Sequence, residues 1–179
     1  MKKLYILFTF VLALSVTAPA VAQDLGLKGI APKVGLVLPE DPWNVGLFLG
    51  ASADMGEITD NITLNPFVAY WNSGYDISGY SLNLSNFQVG ADAHYMFPDI
   101  EGLYAGGGLS LNILSFETPN FFGTTGTTST SDTEIGIGLK GGYMMEIGDM
   151  LGFAEAKYNI VSNFNTLDLA VGIYFDLTD

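Results

Sequence analysis

The chain has 179 residues, no cysteine, and six basic residues, all lysine, against nineteen acidic ones, for a formal net charge of −13. That balance excludes a nucleic-acid partner, which needs a basic surface, and the missing cysteines exclude a disulfide framework, a thiol nucleophile and a cysteine-ligated metal. With 13% aromatic residues, only 14% charged ones and many β-branched ones, the composition is that of a folded protein rather than an acidic disordered one.

The first segment is not expected to belong to the fold. Lys2 and Lys3, the apolar run Leu4 to Val16 and the small-residue site Ala20-Val21-Ala22 have the three-part form of a secretory signal cleaved before Gln23. Residues 1–22 are therefore read as a signal peptide and residues 23–179 as one domain. Its four remaining lysines face all nineteen acidic groups.

From there the sequence alternates apolar and polar residues in eight segments, and a period of two describes strands with one greasy and one polar face. The predicted strands run near Ile30 to Leu38, Trp43 to Met55, Ile62 to Trp71, Ser81 to Phe97, Leu103 to Phe116, Thr133 to Glu146, Leu151 to Ser162 and Thr166 to Leu177. The pattern is plainest in the last, where Leu167, Leu169, Val171, Ile173 and Phe175 face one way and Asp168, Ala170, Gly172, Tyr174 and Asp176 the other. Gly56 to Asn61, Pro98 to Gly102 and Gly148 to Met150 read as compact turns at one end. Asn72 to Tyr80 and the Gly/Thr/Ser-rich Pro119 to Asp132 read as longer, flexible loops at the other. Most of the acidic residues fall between strands, as a solvated rim would have them.

Periodicity alone does not say which face is inside. A soluble ligand-binding barrel of lipocalin type turns its apolar face inward, whereas a membrane barrel turns it to lipid. The polar face here carries Gly46, Gly50, Gly90, Gly106, Gly108, Gly136, Gly138, Gly142 and Gly172 and few long charged side chains. Small residues suit a crowded lumen better than a wetted exterior, so the expectation is an all-β, eight-stranded antiparallel up-and-down transmembrane barrel with its polar face inside. On that assignment Asp92, His94, Asn112, Glu134, Lys140, Glu155, Lys157 and Asp168 point into the lumen, with Lys140 and Lys157 as its strand lysines. Lys140, Glu155, Lys157 and Asp168 lie on three consecutive strands, so the expected arrangement is a structural network of cross-strand ion pairs.

The runs ADMGEITDNITLNPFVAYW (residues 53–71), ADAHYMF (91–97) and LYAGGGLSLNI (103–113) resemble the outer-membrane β-barrel domain of the small porin-like family, in the broad OmpA/OmpX-like superfamily. In that family a strand enters a tight Gly-Glu turn, a second leaves it with Pro and Tyr-Trp, and a third ends in an aromatic pair before a Gly-rich strand. The resemblance covers nearly all of residues 23–179. It implies an eight-stranded barrel of the bacterial outer membrane whose partners are membrane lipid and, during biogenesis, the assembly machinery. It transfers no catalytic residue. Such barrels commonly end in an aromatic residue read by that machinery, whereas Phe175 here is followed by Asp176-Leu177-Thr178-Asp179.

An enzymatic reading finds little to use. His94 is the single histidine, and Asp92 could orient it, but no Gly-x-Ser-x-Gly accompanies the pair. Gly106-Gly107-Gly108 lacks the lysine and helix of a phosphate loop. No metal-ligand spacing occurs, so no cofactor is expected. The expected function is that of a structural or porin-like surface barrel; a soluble ligand-binding barrel and a lipid-modifying membrane enzyme are the alternatives.

Overall fold

Alternation becomes geometry in nine strands: β1 (Gly29–Pro39), β2 (Gly46–Asp54), β3 (Glu57–Thr59), β4 (Ile62–Ile77), β5 (Tyr80–Met96), β6 (Leu103–Pro119), β7 (Thr127–Ile147), β8 (Met150–Val161) and β9 (Phe164–Asp176). The computed structural model describes residues 25–77, 80–119, 127–162 and 164–178; the expected signal peptide lies outside them. Each long strand pairs antiparallel with the next along the chain. β2 pairs with β4, and β1 pairs with β9, which closes the sheet on itself. The three-residue β3 pairs only with β4 and extends one turn, so the barrel proper has eight staves. Closure satisfies every stave on both sides, which is what lets a sheet cross a bilayer. No helix among the described residues is long and apolar enough to cross a membrane.

Both described chain ends sit at one end of the barrel, where Gly29 is in register with Asp176. This turn end also holds the compact connections. Gly102 and Gly148 adopt φ values of 81° and 64° there, a left-handed conformation that glycine reaches without the Cβ penalty. At Gly148 it allows Ile147 to pair with Met150 across two residues.

The opposite, loop end departs from the sequence reading. β4 to β7 have 16, 17, 17 and 21 residues, whereas β1, β2, β8 and β9 have 11, 9, 12 and 13. A tilted strand needs roughly 9 to 11 residues to cross a bilayer, so the four central staves continue as a wall. Two segments read as loops are largely strand: Asn72 to Ile77 pairs with β5, and Thr127 to Asp132 pairs with β6. The outer faces of these extensions meet water rather than lipid, so no apolar alternation marks them although Ser73 and, in part, Tyr75 turn inward, and β-branched residues still favour the pleat. Ser115 and Ser131 hydrogen-bond across it at 2.9 Å. Residues 120–126 of the expected loop lie outside the described residues.

The apolar face points outward. Leu47 is 71% exposed and Val171 57%, and Val34, Val89, Leu109, Ile137 and Leu139 are exposed with them. The buried set is instead rich in Asn, Gln, Asp, Glu and Lys: Asn112 is 0% exposed and Asp92 1%. A water-soluble barrel would have these reversed, so this is an integral membrane barrel.

Candidate functional site: a layered lumen

Going from the turn end toward the loop end, the interior has three levels of different character. The first level is ionic. In register, Lys140 of β7 stands directly opposite Lys157 of β8, a juxtaposition that is repulsive without a counter-charge. Asp92 of β5 supplies it by reaching across the barrel over the intervening β6. Its Oδ2 lies 2.8 Å from Lys140 Nζ and 3.0 Å from Lys157 Nζ, and its Oδ1 lies 3.1 Å from Lys157. Glu155 of β8 takes Lys33 of β1 at 2.5 Å and Lys140 at 3.5 Å, and accepts a hydrogen bond from the Tyr104 hydroxyl at 3.0 Å. Lys157 Nζ also lies 3.7 Å from the centre of the Phe67 ring, where the ring's negative face adds to its stabilisation.

Glycine makes room for these side chains. A Cβ on Gly108 would run into Asp92, one on Gly138 into Lys157, and one on Gly142 into Tyr104. The small residues of the polar face are thus the space into which the charged ones fold. His94 stacks on Tyr104, with ring centroids 5.0 Å apart, at the turn-end side of this level, and its Nε2 is buried without a hydrogen-bond partner.

The second level consists mostly of amides. Asn86 and Gln88 both donate to Asn112 Oδ1, at 2.9 and 3.0 Å, and Asn112 donates to Ser110 at 3.0 Å. Asp168 belongs here. Although in register with Lys157, its carboxylate accepts from Asn159 at 2.7 Å and Thr166 at 3.2 Å. Glu134 is opposite Asn112, nearer the loop end.

The third level is apolar. Val37, Trp71, Leu84, Leu114 and Val161 are buried together, with Phe164 stacked on Trp71 at 5.7 Å. Trp43, from the β1–β2 connection, covers them at the mouth and meets Tyr75 and Phe116, each with ring centroids 6.2 Å away.

Of the residues expected in one network, the structure brings together Asp92, Lys140, Glu155 and Lys157. It adds Lys33 and Tyr104, and it leaves Asp168 with amide and hydroxyl partners, His94 on a tyrosine ring and Glu134 higher up. Lys33 was legible: Ile30, Val34 and Leu36 facing lipid put residue 33 on the other face. The cross-lumen reach of Asp92 had no local signal, since it depends on how the sheet closes. Asp92 is committed to lysines, and among the described residues no group of His, Asp or Glu could hold a metal ion.

A closed eight-stave antiparallel barrel with an apolar exterior and a polar, side-chain-filled interior defines an integral membrane protein of the outer-membrane barrel class. No protein-family model matches the sequence, and no curated protein matches it. Solved structures do match. Neisserial surface protein A superposes with a TM-score of 0.59 at 16% identity, over 83% of this chain and 96% of that one. The attachment invasion locus protein Ail of Yersinia pestis gives 0.58 at 16% identity over 84% and 99%, and it has also been solved with the heparin analogue sucrose octasulfate. The N-terminal barrel domain of Pseudomonas aeruginosa OprF gives 0.52 at 16% identity over 84% and 99%. At this identity the likeness is one of fold, and it agrees with the resemblance read from the sequence.

Proposed function

We propose that this protein is a closed, non-enzymatic surface barrel of the bacterial outer membrane, with its turn end in the periplasm and its taller wall at the cell surface. Short periplasmic turns and a larger outer end are the usual arrangement. Membrane lipid is its permanent contact, and the barrel-assembly machinery is its partner during biogenesis. The carrying observation is the ionic level: three lysines and two carboxylates from four staves meet inside a barrel that eight strands already make narrow. The apolar level above it offers a passing solute little to bond with beyond the unpartnered Trp71 indole N–H.

The test is conductance in planar lipid bilayers. The native barrel should show no stable open level, and Asp92→Ala with Glu155→Ala, which removes both counter-charges, should give flickering openings. A steady ohmic conductance from the native protein would overturn closure.

The neighbour solved with a heparin analogue raises the question of a polyanionic partner, and charge argues against one here. The loop end carries Glu40, Asp41, Asp76, Glu117, Asp132 and Glu134, with no lysine or arginine among its described residues. Its field repels sulfated or phosphorylated ligands.

A further inference from the structure

We propose that the loop-end mouth is a binding site for an organic cation, an alkylated ammonium group seated on the rings of Trp43, Tyr75 and Phe116 and balanced by Asp132 and Glu134. The inference concerns the mouth alone and holds whether or not the lumen conducts.

The three rings come from three places in the fold and are held there by backbone. Trp43 lies on the β1–β2 connection, which is tied to β4 by the Asn44 N–H donating to the Gly74 carbonyl at 3.0 Å and by the Ser73 hydroxyl donating to the Asn44 carbonyl at 2.5 Å. Tyr75 is on β4 and Phe116 on β6. The Trp43 plane is inclined at 64° to Tyr75 and 54° to Phe116, so the rings meet as facets rather than a flat stack. All three remain partly open, although the apolar level beneath them is sealed.

The carboxylates share the rings' side of the sheet. Asp132 is opposite Leu114 and Glu134 opposite Asn112 in the β6–β7 register. Leu114 and Asn112 are buried inward-facing residues, so their partners also face inward, and Phe116 is the next inward residue on β6. One Asp132 oxygen takes its neighbour's N–H, from Thr133 at 2.8 Å, which leaves the other available. Glu134 takes no part in the lumen network.

Aromatic rings on the same side of the sheet as two carboxylates, with no lysine or arginine among the described residues of that end, fit a ligand that is positive yet weakly hydrated. An alkylated ammonium meets both conditions: it loses little hydration on meeting an aromatic face. A metal ion would need more oxygen ligands than this wall converges, and an anion meets only like charge. The same protein already holds a cation on a ring inside, at Lys157 and Phe67.

The experiment uses the folded barrel in a glucoside detergent, because phosphocholine detergents carry the probe's own chemistry. Choline chloride is titrated while the Trp43 indole N–H is followed by NMR, with 3,3-dimethylbutan-1-ol as the neutral isostere and sodium chloride as the ionic-strength control. The expected result is a saturable shift with choline, none with the alcohol or the salt, and affinity at least about five-fold weaker after Asp132→Asn with Glu134→Gln. Those two changes lie at the wall rather than in the sealed lumen, so the barrel still folds, and Tyr75→Leu with Phe116→Leu, which keeps the Trp43 reporter, should abolish saturation. A shift that follows choline linearly, an alcohol that binds as well as choline, or a double variant that binds unchanged would each overturn the site.

Discussion

Lys140 occupies a position where charge must be balanced locally. It touches both carboxylates of the ionic level, so Lys140→Met strands a buried Asp92 and Glu155 with one fewer cation between them. The expected loss is about 3 to 5 kcal/mol, well above that of a surface change, and urea titration of the lipid-embedded barrel measures it. Double-mutant cycles then separate contact from mere proximity. Lys157 with Asp92, bonded through both oxygens, should couple by about 0.5 to 3 kcal/mol, whereas Lys157 with Asp168 should be nearly additive despite sharing a register position. Strong coupling between Lys157 and Asp168 would mean that Asp168 leaves Asn159 and Thr166 for the lysine in the membrane. The sequence made the opposite pairing look natural, because strand adjacency is all that it displays. Which residue on β5 faces which on β8 is decided by the stagger with which the sheet closes, and no short stretch of chain encodes that.

Among the elements, the lipid-facing surface was the most legible, because a bilayer enforces alternation on every stave at once. Leu47, Val68, Val89, Leu109, Ile137 and Val171 are all exposed apolar residues on different staves. Val171→Arg, in the middle of β9, should cost roughly 2 to 4 kcal/mol, and Leu47→Arg, in register with Asn72 at the loop end, should cost less. Equal stability of both variants and the parent in bilayers would mean that these positions do not meet lipid. The polar extensions of β4 and β7 were illegible for the converse reason: an outer face in water imposes no apolar alternation, even where the inner face is covered at Ser73. A further property belongs to the β1–β9 seam, the one junction between neighbouring staves that no turn connects. Two side-chain bonds straddle it, each skipping a stave: Lys33 of β1 reaches Glu155 of β8, and the Tyr174 hydroxyl of β9 donates to Asp54 of β2 at 3.2 Å. Lys33→Met with Tyr174→Phe should therefore speed hydrogen exchange in β1 and β9 more than in β5 and β6. Uniform acceleration around the barrel would assign these bonds to global stability instead.

At the scale of the molecule, the interior combines an ionic level, which resists charge separation, with an apolar one, which excludes water, and neither depends on the other for closure. The first was visible in the chain through its lysines and acids; it was the second that the sequence hid, because the inward residues near the loop end, Trp71, Leu84, Leu114 and Val161, break the rule that the inner face is polar. There is a practical consequence in where the lysines went. Lys33, Lys140 and Lys157 are buried, so among the described residues Lys28 is the one amine near water. A folded barrel should therefore resist trypsin at Lys33, Lys140 and Lys157 and, of its four described lysines, accept an amine-reactive label only at Lys28. Unfolding would uncover three further amines at once, so mass-resolved labelling counts open barrels molecule by molecule, with no probe introduced into the chain.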